Sequence, residues 1–128
     1  MDFKDNKAIY LQIVDYVFEQ ILLGHWEINE RIPSVRELAA ALEVNPNTVA
    51  RTYELLQNQE IILNKRGIGF FVNDDAMDKI RIIRREEFME KELPVFFRTL
   101  YLLDIDMSSL IKLYETFVKT TFKDHEEK

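Results

Sequence analysis

No cysteine occurs in the sequence, so it can build no disulfide framework, no thiolate zinc site and no cysteine nucleophile, and a reducing compartment is weakly favoured. The two histidines, His25 and His125, are a hundred positions apart without a ligand-spaced companion, so no metal site is expected. G-x-S-x-G, Walker A and dinucleotide fingerprints are all missing. The paired acids Asp74–Asp75 and Glu86–Glu87 are sequence neighbours, which on a helix do not face one another, so they make poor catalytic dyads. An enzyme is therefore not expected, and neither is a cofactor. No apolar run approaches the roughly 18 residues of a membrane span, and the opening MDFKDNKAIYLQIVDYV has early acids and no basic n-region. The expectation is a cytoplasmic protein without a membrane partner.

An excess of positive charge is also lacking. The net charge is −6, the wrong sign for binding nucleic acid through bulk electrostatics. The distribution is uneven, however. Residues 31–72 hold five bases (Arg31, Arg36, Arg51, Lys65, Arg66) against four acids (Glu37, Glu43, Glu54, Glu60), a local +1 that leaves −7 for the rest.

What is present is a composition suited to a folded core, 47% apolar and 31% charged, in 128 residues uninterrupted by low-complexity sequence. That length fits one domain, or a small domain with an appendage. Ile9, Ile13, Val17 and Ile21 recur at every fourth position, flanked by Tyr10, Val14, Phe18 and Leu22, which predicts a first helix stopped by Gly24. Ser34 and Glu37 form an S-x-x-E capping box before a short second helix reaching about Leu42. Asn45 then offers a cap, Pro46 fits the first helical position, and Val49, Tyr53 and Leu56 give a third helix its inward stripe. After Gln59, the runs IILN and FFVN flank KRGIG and predict a hairpin. Three helices followed by a two-stranded wing form a winged helix-turn-helix over residues 1–73, so the chain is expected to be mainly α.

Residues 74–128 are expected to form a helical dimerisation appendage. Ile82, Met89, Phe96 and Leu103 fall seven apart, with Leu93, Leu100 and Met107 between them, as in a heptad seam. Pro94 interrupts it, predicting either a kink near Leu93 or two helices. After LDID, with Asp106 as the expected cap, a last helix carries Met107, Leu110, Ile111, Tyr114, Phe117 and Val118 on one face, and the tail KDHEEK is expected to fray. Ile82, Met89, Leu93, Phe96, Leu100, Leu103, Tyr114 and Phe117 are the expected dimer contacts.

The polar chemistry gathers at the front of the third helix. The first residues of a recognition helix enter the groove, where amides, hydroxyls and guanidinium groups bond base edges and phosphates. Asn45, Asn47, Thr48 and Arg51 are placed for this, although Asn45 serves equally well as a plain cap. Arg36 lies in the first turn of the second helix, where the helix dipole disfavours a cation; a phosphate or guanine contact would account for it, a solvated surface position being the alternative. Lys65, Arg66 and Gly67 give the hairpin a basic tip suited to the backbone or the minor groove. The competing reading is a winged-helix adaptor that binds another protein, but such a surface would expose apolar anchors there, not Asn, Asn, Thr and Arg.

The stretches IYLQI (Ile9–Ile13), PSVREL (Pro33–Leu38), VNPNTVARTYELL (Val44–Leu56) and RGIGFFV (Arg66–Val72) closely resemble the GntR family of bacterial transcription factors in order and spacing. The resemblance implies a sequence-specific DNA-binding regulator, expected to be a repressor, acting as a homodimer on an inverted-repeat operator with GT and AC at its edges. It places Arg36, Asn47, Thr48 and Arg51 against DNA, and Arg66 and Gly67 in the wing tip. The 56 residues after Val72 are too few for the usual effector domains and resemble the short helical appendage of the YtrA-type subfamily, whose regulated genes often include ABC-type transporters. The operator and any effector stay open. Glu60 stands where the family usually has Gly, Ile68 where a basic residue is common, and Phe70 where Thr is common, so a weaker grip by the wing is expected.

Overall fold

A computed structural model describes residues 7–123; the tail expected to fray lies outside the described residues from Asp124 on. The described chain divides into two compact units, the first running to Arg84 and the second starting at Arg85.

In the first unit, helix α1 (Ile9–Leu22) buries Ile13, Val14, Val17, Phe18 and Ile21 along one face. Gly24 ends it as expected, with φ +79 and the next amide, His25 N, bonded back to the Gln20 carbonyl at 2.9 Å. Helix α2 (Val35–Leu42) begins with the complete capping box: the Glu37 amide donates to Ser34 Oγ at 3.1 Å and the Ser34 amide donates to Glu37 Oε1 at 3.0 Å. The carboxylate of Glu37 is held below its ordinary range, first by that Ser34 amide, then by the Ser34 side chain, with Arg31 adding to the effect. Glu43 turns the chain at φ +57, and helix α3 (Pro46–Asn58) follows with Pro46 at its first position.

α3 packs against both α1 and α2. Val49, Tyr53 and Leu56 are essentially solvent-free in that core, where a fully buried aliphatic side chain contributes about 1.5–3 kcal/mol. Tyr53 keeps its polar end satisfied by donating from its hydroxyl to the Pro33 carbonyl at 2.6 Å, and burial pushes its ionisation far up. Thr52, also buried, donates to the Tyr10 carbonyl at 2.9 Å and so ties α3 to the start of α1.

Strands β1 (Ile62–Lys65) and β2 (Gly69–Val72) pair antiparallel in the register Ile62↔Val72 to Lys65↔Gly69. The turn between them closes through the Ile68 amide and the Lys65 carbonyl at 2.8 Å, with Gly67 at φ +81 in the position where a type II turn needs glycine. The sheet has a contribution that the sequence reading missed. Ile28 and Arg31 form bridges to Val72 and Phe71, and the Ile32 amide donates to the Phe70 carbonyl at 2.9 Å, so residues 28–32 run along the outer edge of β2.

Helix α4 (Ala76–Glu87) starts inside the first unit. Ala76 and Ile80, which the sequence division after residue 73 assigns to the appendage, are fully buried in the winged-helix core. Arg84 adds an ion pair to Asp15 of α1 at 2.5 Å.

In the second unit the end of α4 leads into a π-helical turn (Phe88–Glu92) and then helix α5 (Leu93–Leu102). Pro94 lies in the first turn of α5, and of the two expectations the division into two α-helices is the one seen, with α4 and α5 joined through the π-helical turn and Glu87 and Glu92 both right-handed. Proline lacks an N–H and its ring collides with the carbonyl four residues back in an α-helix, and the wider turn before it removes that conflict. Asp104, at φ +54, ends α5, and helix α6 (Met107–Val118) follows, succeeded by a second π-helical turn (Lys119–Lys123). Asp106 occupies the expected cap position of α6, but its side chain makes no capping bond. Its carbonyl instead accepts from the Ser109 hydroxyl at 2.7 Å.

Candidate nucleic-acid interface

The front of α3 is open to solvent. Asn45, Asn47 and Arg51 are exposed and Thr48 is half-buried, because Val49, Thr52, Tyr53 and Leu56 take the inward positions. Asn45 is the cap: its Oδ1 accepts from the Asn47 amide at 2.8 Å, leaving the carboxamide NH2 for an outside partner. Asn47, Thr48 and Arg51 line one open depression of about 360 Å³ together with Ala8, Ile9 and Tyr10. The guanidinium carbon of Arg51 stands 3.8 Å from the centroid of the Tyr10 ring, in face-on contact. Sequence reading treated Tyr10 as part of an apolar helix face; that it meets Arg51 depends on the α1–α3 packing, which no local pattern encodes.

Arg36 is exposed on α2, and among the described residues no carboxylate pairs with it, nor with Arg51, Lys65 or Arg66. Several acids of this unit pair with other cations. Glu37 pairs with Arg31 at 3.3 Å, Glu60 with Lys79 at 3.1 Å, and Asp15 with Arg84 and Lys7. Four cations are thus available to an external anion on a protein of negative net charge, and the first-turn amides of α2 and α3 point the same electrostatic way.

At the wing tip, Lys65, Arg66 and Gly67 are exposed, and the Lys65 ammonium rests 4.4 Å from the Phe71 ring centroid. Ile68 is 62% exposed between them and Gly69, an apolar tip on a basic turn. Gly69 has φ +140, a backbone conformation that L side chains rarely adopt, and a Cβ there would also push on the Arg31 side chain, whose Nε would lie 2.8 Å away.

The expected dimer positions divide. Ile82, Met89, Phe96, Leu103, Tyr114 and Phe117 are exposed, Leu93 is half-buried, and Leu100 is only 7% exposed. Val95, Phe97, Tyr101, Leu102 and Ile111 are exposed as well, a dense set of apolar side chains in contact with water. Among the described residues no group of acids and histidines could hold a metal ion, and no helix is long and apolar enough to cross a membrane.

A family model described as bacterial regulatory proteins, gntR family, matches residues 9–72, the segment from the start of α1 to the end of the wing. The uncharacterised HTH-type transcriptional regulator YhcF of Bacillus subtilis is 36% identical over 90 residues, covering 69% of this chain and 74% of the relative. The HTH-type transcriptional repressor YtrA of the same organism is 35% identical over 92 residues, covering 72% and 69%. Among solved structures, a transcriptional regulator of the GntR family from Bacteroides thetaiotaomicron is 51% identical, with a TM-score of 0.67, covering 88% of this chain and 98% of that one.

Proposed function

This chain belongs to the gntR family of bacterial regulatory proteins, DNA-binding transcriptional regulators of the helix-turn-helix type, and from that premise we propose that it is a repressor acting as a homodimer on an inverted-repeat operator. The observation that carries the reading is the front of α3: Asn47, Thr48 and Arg51 around one open depression, with no apolar anchor among the residues of the helix that face outward. Amide, hydroxyl and guanidinium groups suit base edges in a major groove. Arg36, Lys65 and Arg66 are unpaired cations suited to phosphate oxygens. Asn45 supports them by capping α3: its Oδ1 takes the Asn47 amide and its carbonyl the Thr48 amide, which fixes the turn that carries Asn47 and Thr48 and leaves the Asn45 carboxamide NH2 for DNA.

Residues 1–73 read DNA, with Ala76 and Ile80 of α4 completing their core, and the exposed apolar residues further along the segment 74–128 supply the surface between protomers. A soluble monomer rarely leaves so many large apolar side chains exposed along two successive helices, and a second copy covers them symmetrically. Two equivalent recognition helices then require two half-sites related by the same two-fold axis. The repressor assignment rests on the similarity to YtrA, and the place of action is the cytoplasm, where the operator lies.

Selection of bound fragments from random DNA, followed by light scattering of the complex, tests both parts. Enrichment of an inverted repeat bound by two chains is the expected result. Enrichment of a lone half-site bound by one chain overturns the dimer, and no enrichment at all returns the adaptor reading to the front.

A further inference from the structure

Of the four unpaired cations, Arg51 has its guanidinium held against a ring from a different helix. Tyr10 is the second residue of α1, and its carbonyl accepts the Thr52 hydroxyl, so the ring stands on backbone that the core fixes in place relative to α3. Thr52 Oγ1 also lies 3.2 Å from the Thr48 carbonyl, which secures the same turn of α3 from within. Stacking occupies the face of the guanidinium and leaves the N–H donors on its edge free, and among the described residues no carboxylate takes them.

We infer that Tyr10 is a positioning residue that sets Arg51 in place, before DNA arrives, for a two-pronged contact with the O6 and N7 edge of a guanine. Arginine on guanine is the commonest specific contact in the major groove, and it needs the planar fork held in one orientation. A free arginine would lose its rotamer freedom on binding, whereas one already laid on an aromatic face has lost most of it. The inference rests on the DNA-reading proposed for α3 and adds to it a residue outside the helix-turn-helix, on α1.

The test uses the full chain, a duplex obtained by selection from random DNA, and a scrambled duplex of the same length and composition. Tyr10→Leu removes the ring and Tyr10→Phe keeps it. Tyr10→Leu should weaken the selected duplex roughly threefold per half-site, about tenfold for a dimer, with the scrambled duplex unchanged, while Tyr10→Phe binds as the parent does. Arg51→Lys retains the charge without the flat fork, so it should lose the selected duplex and keep the scrambled one; adding Tyr10→Leu to it should change nothing more. In the free protein, the Arg51 Nε–H resonance should be moved by the ring current in the parent and in Tyr10→Phe, and return towards that of the other arginines in Tyr10→Leu. Equal behaviour of Tyr10→Leu and Tyr10→Phe, or full additivity with Arg51→Lys, overturns the inference, as does an equal loss on both duplexes, which marks a merely structural ring. If Arg51→Lys binds both duplexes like the parent, the proposed reading by α3 fails along with it.

Discussion

Replacing Glu60 by glycine should make the protein more stable, and the structure gives the size. Gln59 ends α3, and Glu60 follows at φ +59, with its amide on the Gln57 carbonyl at 2.9 Å and the Ile61 amide on the Leu56 carbonyl at 2.9 Å. This is the Schellman arrangement, with Leu56 and Ile61 both buried in the same core, and it demands a left-handed residue at the position Glu60 occupies. A side chain with a Cβ costs about 1–2 kcal/mol there. Against that relief stand the extra freedom glycine gives the unfolded chain, about 0.5–1 kcal/mol, and the pair with Lys79. The Glu60 side chain is 78% exposed, so solvent leaves that pair little weight. The net gain is about 0.5–1 kcal/mol, which for a chain of this size raises the melting temperature by roughly 2–5 °C. Thermal melts of Glu60→Gly beside Glu60→Ala decide it, because alanine removes the same ion pair without freeing the backbone. If Glu60→Gly is no more stable than Glu60→Ala, the left-handed strain is not what the substitution relieves, and the argument is refuted.

With Arg36, Lys65 and Arg66 on phosphates and Arg51 on a base, a dimer makes six phosphate contacts and log affinity should fall against log salt with a slope of about −5, steepening to about −7 if Arg51 also sits on a phosphate; Arg66→Ala should flatten it by about two and weaken all sequences alike, and a slope near −2 in the parent would contradict this count of contacts. Phe96→Asp and Phe117→Asp each bring a charge onto an exposed apolar position of the second unit and should shift a dimer towards monomer in sedimentation; a parent that is already a stable monomer at micromolar concentration removes the dimer. Glu37 has a lowered pKa, so the stability it gives α2 is present above the ordinary value of 4.5 and is lost as pH falls through the lowered one. The melting difference between the parent and Glu37→Gln should therefore shrink over that acid range, and a difference constant down to pH 3 would show that the carboxylate of Glu37 is not what caps the helix.

The parts of the fold legible in the sequence are those whose signals are local. A capping box acts over three residues, a proline at the first helical position over one, and a stripe such as Val49, Tyr53 and Leu56 over two turns, so α1, α2, α3 and the hairpin could be placed from the sequence. The segment at Ile28–Ile32 could not, because its bonding partner, β2, lies some forty residues further on and its own residues show no alternating pattern. The Tyr10–Arg51 contact was hidden for the same reason: each residue was visible, one as apolar and one as basic, but their meeting is a product of how α1 crosses α3. Even Glu60, noted as standing where the family usually has glycine, showed its meaning only once its φ was known.

The heptad seam shows a subtler limit. Counting Ile82, Met89, Phe96 and Leu103 in sevens assumes the same pitch throughout, and the turn at Phe88–Glu92 breaks that assumption. A π-type turn takes in one extra residue, which rotates every later position by roughly 100° about the helix axis. Positions counted in sevens are therefore offset in angle beyond the turn; within the second unit Leu100 of α5 is buried, while Met89, Phe96 and Leu103 stay exposed. A surface for a second copy should consequently be sought on the exposed residues that follow the π turn, Phe96, Leu103, Tyr114 and Phe117. That is why the two aspartate substitutions lie in the second unit, and why Leu100→Asp would be the wrong probe: it would unfold the unit before it could separate two protomers.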